Sequence, residues 1–155
     1  MLYPLAAMDS DALKQMMEGF IPFNAFLGMR VRDVSKGFVV IEIPFRPELV
    51  GDPLRPALHG GVLSALADAC GGAAVWVDVQ DSSSRVSTID LRIDYLRPAR
   101  LETIVAEGRV VRLGNRVGVV DVRLYNGPTP ELTVATGKGV YNISGGRAGR
   151  ARDGA

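Results

Sequence analysis

Little of this chain's chemistry can come from cysteine or histidine. Its 155 residues contain one of each, Cys70 and His59. A single cysteine forms no intrachain disulfide and fits a reducing compartment. An ordinary zinc site draws on several Cys or His ligands, so no metal is expected. A Cys-His nucleophilic pair would also lack an acidic orienter in the same motif. Excess charge of one sign is missing too: 18 basic and 17 acidic residues leave a net charge of +1. Nothing electrostatic therefore favours a nucleic-acid or acidic-membrane partner. The first residues, "MLYPLAAMDSDALKQMM", carry no basic n-region and turn acidic at Asp9 and Asp11, which makes a poor secretory signal. No apolar run stands out at the roughly 20 residues that cross a bilayer. Together these absences predict a cytoplasmic chain without nucleic-acid or membrane partners.

What is present is a core. The chain is 47% hydrophobic and 23% charged, and its length suits one domain. That domain is expected over residues 1–143, followed by a disordered Gly/Arg-rich tail, "SGGRAGRARDGA", over 144–155. Leu13, Met16, Met17 and Phe20 recur at helical spacing, which predicts a short helix over about 10–26 capped by Ser10. One strand is expected over about 29–45, then a proline-rich loop ending in Gly60-Gly61. From Gly61 to about Val77 apolar residues follow a 3.6-residue period, and the opposite face is small instead of charged. Such a helix is buried, with something wrapped around it. The remainder reads as β. From Val86, Ile89, Leu91, Ile93 and Tyr95 alternate with Thr88, Asp90, Arg92 and Asp94, and "LGNR" is read as a two-residue Gly-Asn hairpin turn. Gly108, Gly118, Gly137 and Gly139 lie inside strands, where they mark bends or close approach by another backbone. The fold class is α+β, one sheet curled on one long helix.

Chemistry concentrates in "LHGGVLSALADACGG", residues 58–72. The first backbone N–H groups of a helix lack internal partners and sit at the positive end of its dipole. Glycines there let a polarised carbonyl oxygen come close. Asp68 interrupts an otherwise apolar or small run. A buried carboxylate must be paired or neutralised, or else serve as a base or nucleophile with its pKa tuned by burial. Helix geometry separates the two features: Asp68 lies seven residues past Gly61, roughly 10 Å along the axis. Reacting atoms approach to about 3–3.5 Å. Two antiparallel copies of the helix, packed through the small face of Gly61, Ala65, Asp68 and Gly72, would bring the amides of one to the acid of the other.

The segments "HGGVLSALAD", "STIDLRIDYLRPAR" and "VVRLGNRVGVVDVRLYN" resemble the hotdog-fold acyl-CoA thioesterases of the phenylacetate-degradation (PaaI) type. The likeness spans about Phe26 to Tyr141. It implies a central helix wrapped by a five- to six-stranded antiparallel sheet, a homodimer that often pairs into a homotetramer, and hydrolysis of an acyl-CoA thioester. It implies no cofactor, coenzyme A being part of the substrate. By the same resemblance Asp68 is the catalytic acid of one subunit and the Gly61 amide of the other polarises the carbonyl. His59 positions the loop, and Thr88 helps place the attacking water. Gly60, Asp52 and Ser64 fall among the substrate-contacting positions. Arg97, Arg100, Arg112, Asn115 and Arg116 lie where relatives hold coenzyme A. One position departs: many relatives carry an asparagine six residues before the histidine, and here it is Pro53, beside Asp52. A non-catalytic acyl-CoA binder is therefore the second reading. A dehydratase is disfavoured, because the only histidine is committed to the His-Gly-Gly turn. The acyl pocket is expected near Phe20 to Phe26, Val75 and Trp76.

Overall fold

Lys36 and Gly37 split the first expected strand in two. Gly37 takes a positive φ of 66°, and Ser35 pairs with Phe38 across a tight hairpin. In the computed structural model, which describes residues 9–79, 81 and 83–145, this hairpin joins β1 (Arg30–Ser35) to β2 (Phe38–Ile43). The N-terminal helix is also divided. Asp9, not Ser10, caps α1 (Ser10–Gln15), its Oδ1 accepting from the Ala12 N–H at 2.7 Å. A π-helical turn follows over Met16–Phe20. Pro22 then forces Ile21 into extended backbone, and α2 (Pro22–Leu27) begins afresh. The proline-rich loop contains a 3-10 turn at Pro47–Leu49 and two short paired strands, β3 (Val50–Asp52) and β4 (Ala57–Leu58).

The long helix, α3, runs Gly60–Val79. It is 20 residues long with a mean hydropathy of 1.5, so by length and composition it could cross a membrane. That corrects the expectation drawn from apolar runs, which Asp68 had masked. Its setting is that of a core helix, with 56% of the apolar window buried inside the protein. Four long strands follow: β5 (Ser84–Tyr95), β6 (Ile104–Leu113), β7 (Val117–Asn126) and β8 (Thr133–Gly145). Ser144 and Gly145, expected to open the tail, pair with Arg85 and Ser84. The rest of that tail, 146–155, lies outside the described residues. The sheet is antiparallel throughout, in the order β1-β2-β6-β7-β8-β5. The Gly114 N–H donates to the Val117 carbonyl at 2.8 Å. Asn115 and Arg116, instead of Gly114 and Asn115, therefore occupy the centre of the β6–β7 turn.

The sheet curls because α3 presses into it at glycines. A Cβ on Gly108 would stand 3.0 Å from the Cys70 carbonyl oxygen, and one on Gly118 would stand 2.8 Å from Val75. Leu66, Cys70, Ala74 and Val75 are fully buried in this contact, together with Val39, Ile41, Ala106 and Val120 from the strands. β5 closes one edge. A bulge between Thr88 and Asp90 interrupts its register with β8. Thr88 pairs with Tyr141, Leu91 with Gly139 and Ile93 with Gly137, so these residues share the helix-facing side. Simple alternation had put Thr88 on the opposite face from Leu91 and Ile93. The extra residue, Ile89, is 58% exposed.

Gly108→Ala should lower stability by about 1–3 kcal/mol through overpacking against helix backbone. A reduced urea midpoint with an unchanged slope would report it.

Candidate active site

His59 and the first turn of α3 form one local unit. The His59 N–H donates to the Leu49 carbonyl at 2.8 Å, and the Leu58 N–H to the Ala99 carbonyl at 3.0 Å, which anchors the chain on both sides. The His59 side chain then caps the helix: its Nδ1 accepts from the Gly61 N–H at 2.8 Å. A Cβ on Gly61 would come within 2.9 Å of that nitrogen, so the glycine leaves room for the ring to fold back. The Tyr95 hydroxyl secures the same turn, donating to the Gly60 carbonyl at 3.0 Å and sharing a short hydrogen bond with Ser64 Oγ. Ser64, expected at the substrate, is thus tied to Tyr95. The sequence places Tyr95 in an apolar alternation and in the resembling segment "STIDLRIDYLRPAR", with no role for its hydroxyl. Its ring is half exposed, and no pattern in the sequence singles out the hydroxyl.

Asp52 has a structural task. Its Oδ1 accepts from the Leu54 and Arg55 N–H groups at 2.9 and 3.0 Å, which closes the β3–β4 turn around Pro53. Neither Pro53 nor an ionised Asp52 offers a side-chain donor in place of the asparagine that the resemblance would put there.

Asp68 lies two turns into α3, on the face shared with Ala65, Ala69, Gly72 and Trp76. It is half-buried rather than enclosed, contrary to the desolvated acid expected. Thr88 Oγ1 donates to its Oδ1 at 2.7 Å. Both groups line a cleft of about 650 Å³ between α3, the start of β5 and the N-terminal helical segment. Met16, Met17, Ile21, Phe23 and Trp76 make the walls largely apolar. Val75, expected in this lining, points instead at Gly118 in the core. Phe23 reaches the cleft and stacks on the exposed Phe26 at 6.4 Å between centroids.

Within one protomer the structure brings together Asp68 with Thr88, and His59 with Gly60, Gly61 and Ser64. It does not merge the two groups. The basic residues are likewise divided. Arg97 donates to the Thr133 carbonyl at 2.7 Å, and the Arg100 backbone is clasped by Asn126. Arg112, Asn115 and Arg116 are exposed at the other end of the sheet, where the Ile143 N–H meets the Arg116 carbonyl. The ten residues of β7 separate the two ends, about 30 Å at strand rise.

Cys70 is no competitor for the chemistry. Its Sγ is fully buried and lies 3.3 and 3.4 Å from the Val39 and Ala106 carbonyl oxygens. Burial pushes its thiol up to about 12, so the thiolate is absent at neutral pH.

A long helix gripped by a curled six-stranded antiparallel sheet, with a carboxylate and a hydroxyl in an apolar cleft beside it, is a hotdog-fold enzyme architecture. Residues 56–133 match the family model for the thioesterase superfamily. The medium/long-chain acyl-CoA thioesterase YigI of Escherichia coli K12 is 34% identical over 148 residues, covering 86% of this chain and 94% of that protein. A Shewanella oneidensis protein related to the thioesterase superfamily superposes with a TM-score of 0.73 at 29% identity, over 85% of this chain and 93% of its own. A thioesterase family protein from Silicibacter pomeroyi shares the fold, with a TM-score of 0.78 at 23% identity over 88% and 98% of the two chains. The chain belongs to the thioesterase superfamily and is a thioesterase.

Iodoacetamide at pH 8 should leave Cys70 unmodified in the folded protein and label it fully in urea, as read by intact mass. His59→Ala should remove the cap on Gly61 and lower stability by about 1 kcal/mol, measured by urea unfolding.

Proposed function

We propose that the protein hydrolyses acyl-CoA thioesters, with Asp68 as the general base. The observation that carries this is the Thr88–Asp68 hydrogen bond at 2.7 Å in an apolar cleft. Thr88 donates to one carboxylate oxygen, and its own lone pairs remain free to accept from a water that Asp68 deprotonates. The hydroxide oxygen bonds to the thioester carbon, the C–S bond breaks, and the sulfur leaves as the coenzyme A thiol once it takes up a proton. A homodimer completes the site. The small face of α3 is partly open and the β5 edge is exposed at Ile89. A second copy packed there brings its His59-Gly60-Gly61 turn toward Asp68. The substrate carbonyl then competes with His59 Nδ1 for the Gly61 N–H. Arg112 and Arg116, exposed and outside the ion pairs among the described residues, are available to the coenzyme A phosphates.

The cleft also favours an acyl length. Asp68 and Trp76 are eight residues apart on one face, about 12 Å along the helix. An all-trans chain of carbon–carbon bonds of about 1.5 Å advances about 1.3 Å per methylene, which suits an acyl group of about eight to twelve carbons. YigI of Escherichia coli K12, a medium/long-chain acyl-CoA thioesterase, is consistent with that range. The second reading, a non-catalytic acyl-CoA binder, draws on Pro53, which stands where many relatives carry a donating asparagine.

A panel of acyl-CoAs from two to eighteen carbons, followed with a thiol reagent, tests both. Release should peak at medium chain length, and Asp68→Asn should lower kcat by about 10²–10⁴-fold. Tight binding with no thiol release on any substrate would favour the binder. A monomer by light scattering at micromolar concentration would sink the two-subunit site.

A further inference from the structure

We infer that Tyr141 is the positioning residue for Asp68, holding the helix turn that carries the carboxylate against the strand that carries Thr88. This rests on the reading of Asp68 as the base. Tyr141 and Thr88 are direct register partners on β8 and β5. The Tyr141 hydroxyl donates to the Asp68 main-chain carbonyl at 3.0 Å, while Thr88 Oγ1 donates to the Asp68 carboxylate at 2.7 Å. One cross-strand pair therefore grips both the backbone and the side chain of a single residue. The backbone contact fixes where the turn sits, and the side-chain contact fixes the carboxylate's orientation.

The surroundings are cleared for this hydroxyl. Tyr141 is 1% exposed. A Cβ on Gly71 would overlap its hydroxyl oxygen, and one on Gly139, two residues earlier on the same strand, would stand 2.5 Å from its ring. The tyrosine thus occupies a slot that exists because both positions are glycine. The carbonyl it reaches belongs to a helix, where the Gly72 N–H four residues on is the ordinary donor. The side chain therefore meets the helix backbone at the turn that bears Asp68. Burial, and then the negative Asp68 carboxylate, push the Tyr141 ionisation well above its ordinary value. It stays a neutral donor wherever the carboxylate is charged. A phenylalanine would fill the slot equally well if packing were its only purpose. The buried hydroxyl is the added feature, and its partners are the backbone around the acid.

The test compares Tyr141→Phe, Asp68→Asn and the combination of the two, on a ten-carbon acyl-CoA, with folding checked by circular dichroism. Tyr141→Phe should lower kcat by about 10- to 100-fold, the range of a base displaced by about 1 Å. KM should stay within about twofold, because ground-state binding is untouched. In the Asp68→Asn background the same change should have no further effect on the residual rate. Should Tyr141→Phe fail to fold, Gly71→Ala, which pushes the hydroxyl out of its slot, should give the same kcat loss at constant KM. An inert Asp68→Asn beside an unaffected Tyr141→Phe, or an unaffected Gly71→Ala, overturns this inference alone. So does an equal loss from Tyr141→Phe in both backgrounds, which would mark a general structural role. Full turnover by Asp68→Asn overturns the role of Asp68 and this inference with it.

Discussion

The approach of α3 to the sheet is the constraint on which everything else depends. At Gly108 a strand meets helix backbone with no room for a methyl group, and at Gly118 it meets Val75. Such packing is possible only if the helix is apolar or small nearly all round, which is why α3 has the composition of a membrane span without the setting of one. Interiors packed this tightly are poorly compressible. A side chain on α3 is therefore held in a fixed place relative to side chains on the strands. Asp68 and Thr88, twenty residues apart in sequence, meet at 2.7 Å for this reason.

Two kinds of residue share the site. Asp68 and Thr88 face an apolar cleft and can act on a bound molecule. His59, Tyr95, Ser64 and Asp52 mainly shape backbone: three of them organise the first turn of α3, and the fourth closes the loop before it. The histidine that draws the eye in the sequence is a helix cap in this chain. Its imidazole holds the Gly61 amide, the donor that the proposed mechanism assigns to the thioester carbonyl. The missing asparagine at Pro53 fits a loop built around an Asp52 turn, where both carboxylate contacts go to the chain itself.

Much of the fold is legible in the sequence. The 3.6-residue period of residues 61–77, the small opposite face and the interior glycines together implied a helix wrapped by a curled sheet. Local punctuation is less legible. Lys36-Gly37 is a turn signal inside a run that otherwise reads as one strand, and Pro22 is a break inside a helical pattern. Dipeptide preference centres the "LGNR" turn one residue early, because it does not fix which residues pair across it.

The sequence by itself determined the helix, the carboxylate on it and the separation of roughly 10 Å between that helix's first amides and its own acid. These follow from periodicity and a rise per residue, which are local properties. Tertiary structure decided which side chains meet Asp68. Alternation put Thr88 on the face away from Leu91 and Ile93, and the bulge at Ile89 turned it inward. Nothing in the composition of "STIDL" announces a bulge, because the extra residue is set by how β5 pairs with β8. Tyr141 was out of reach for the same reason. Its role appears only when Gly71 on the helix and Gly139 on the strand leave a slot that ends at the backbone of the acid.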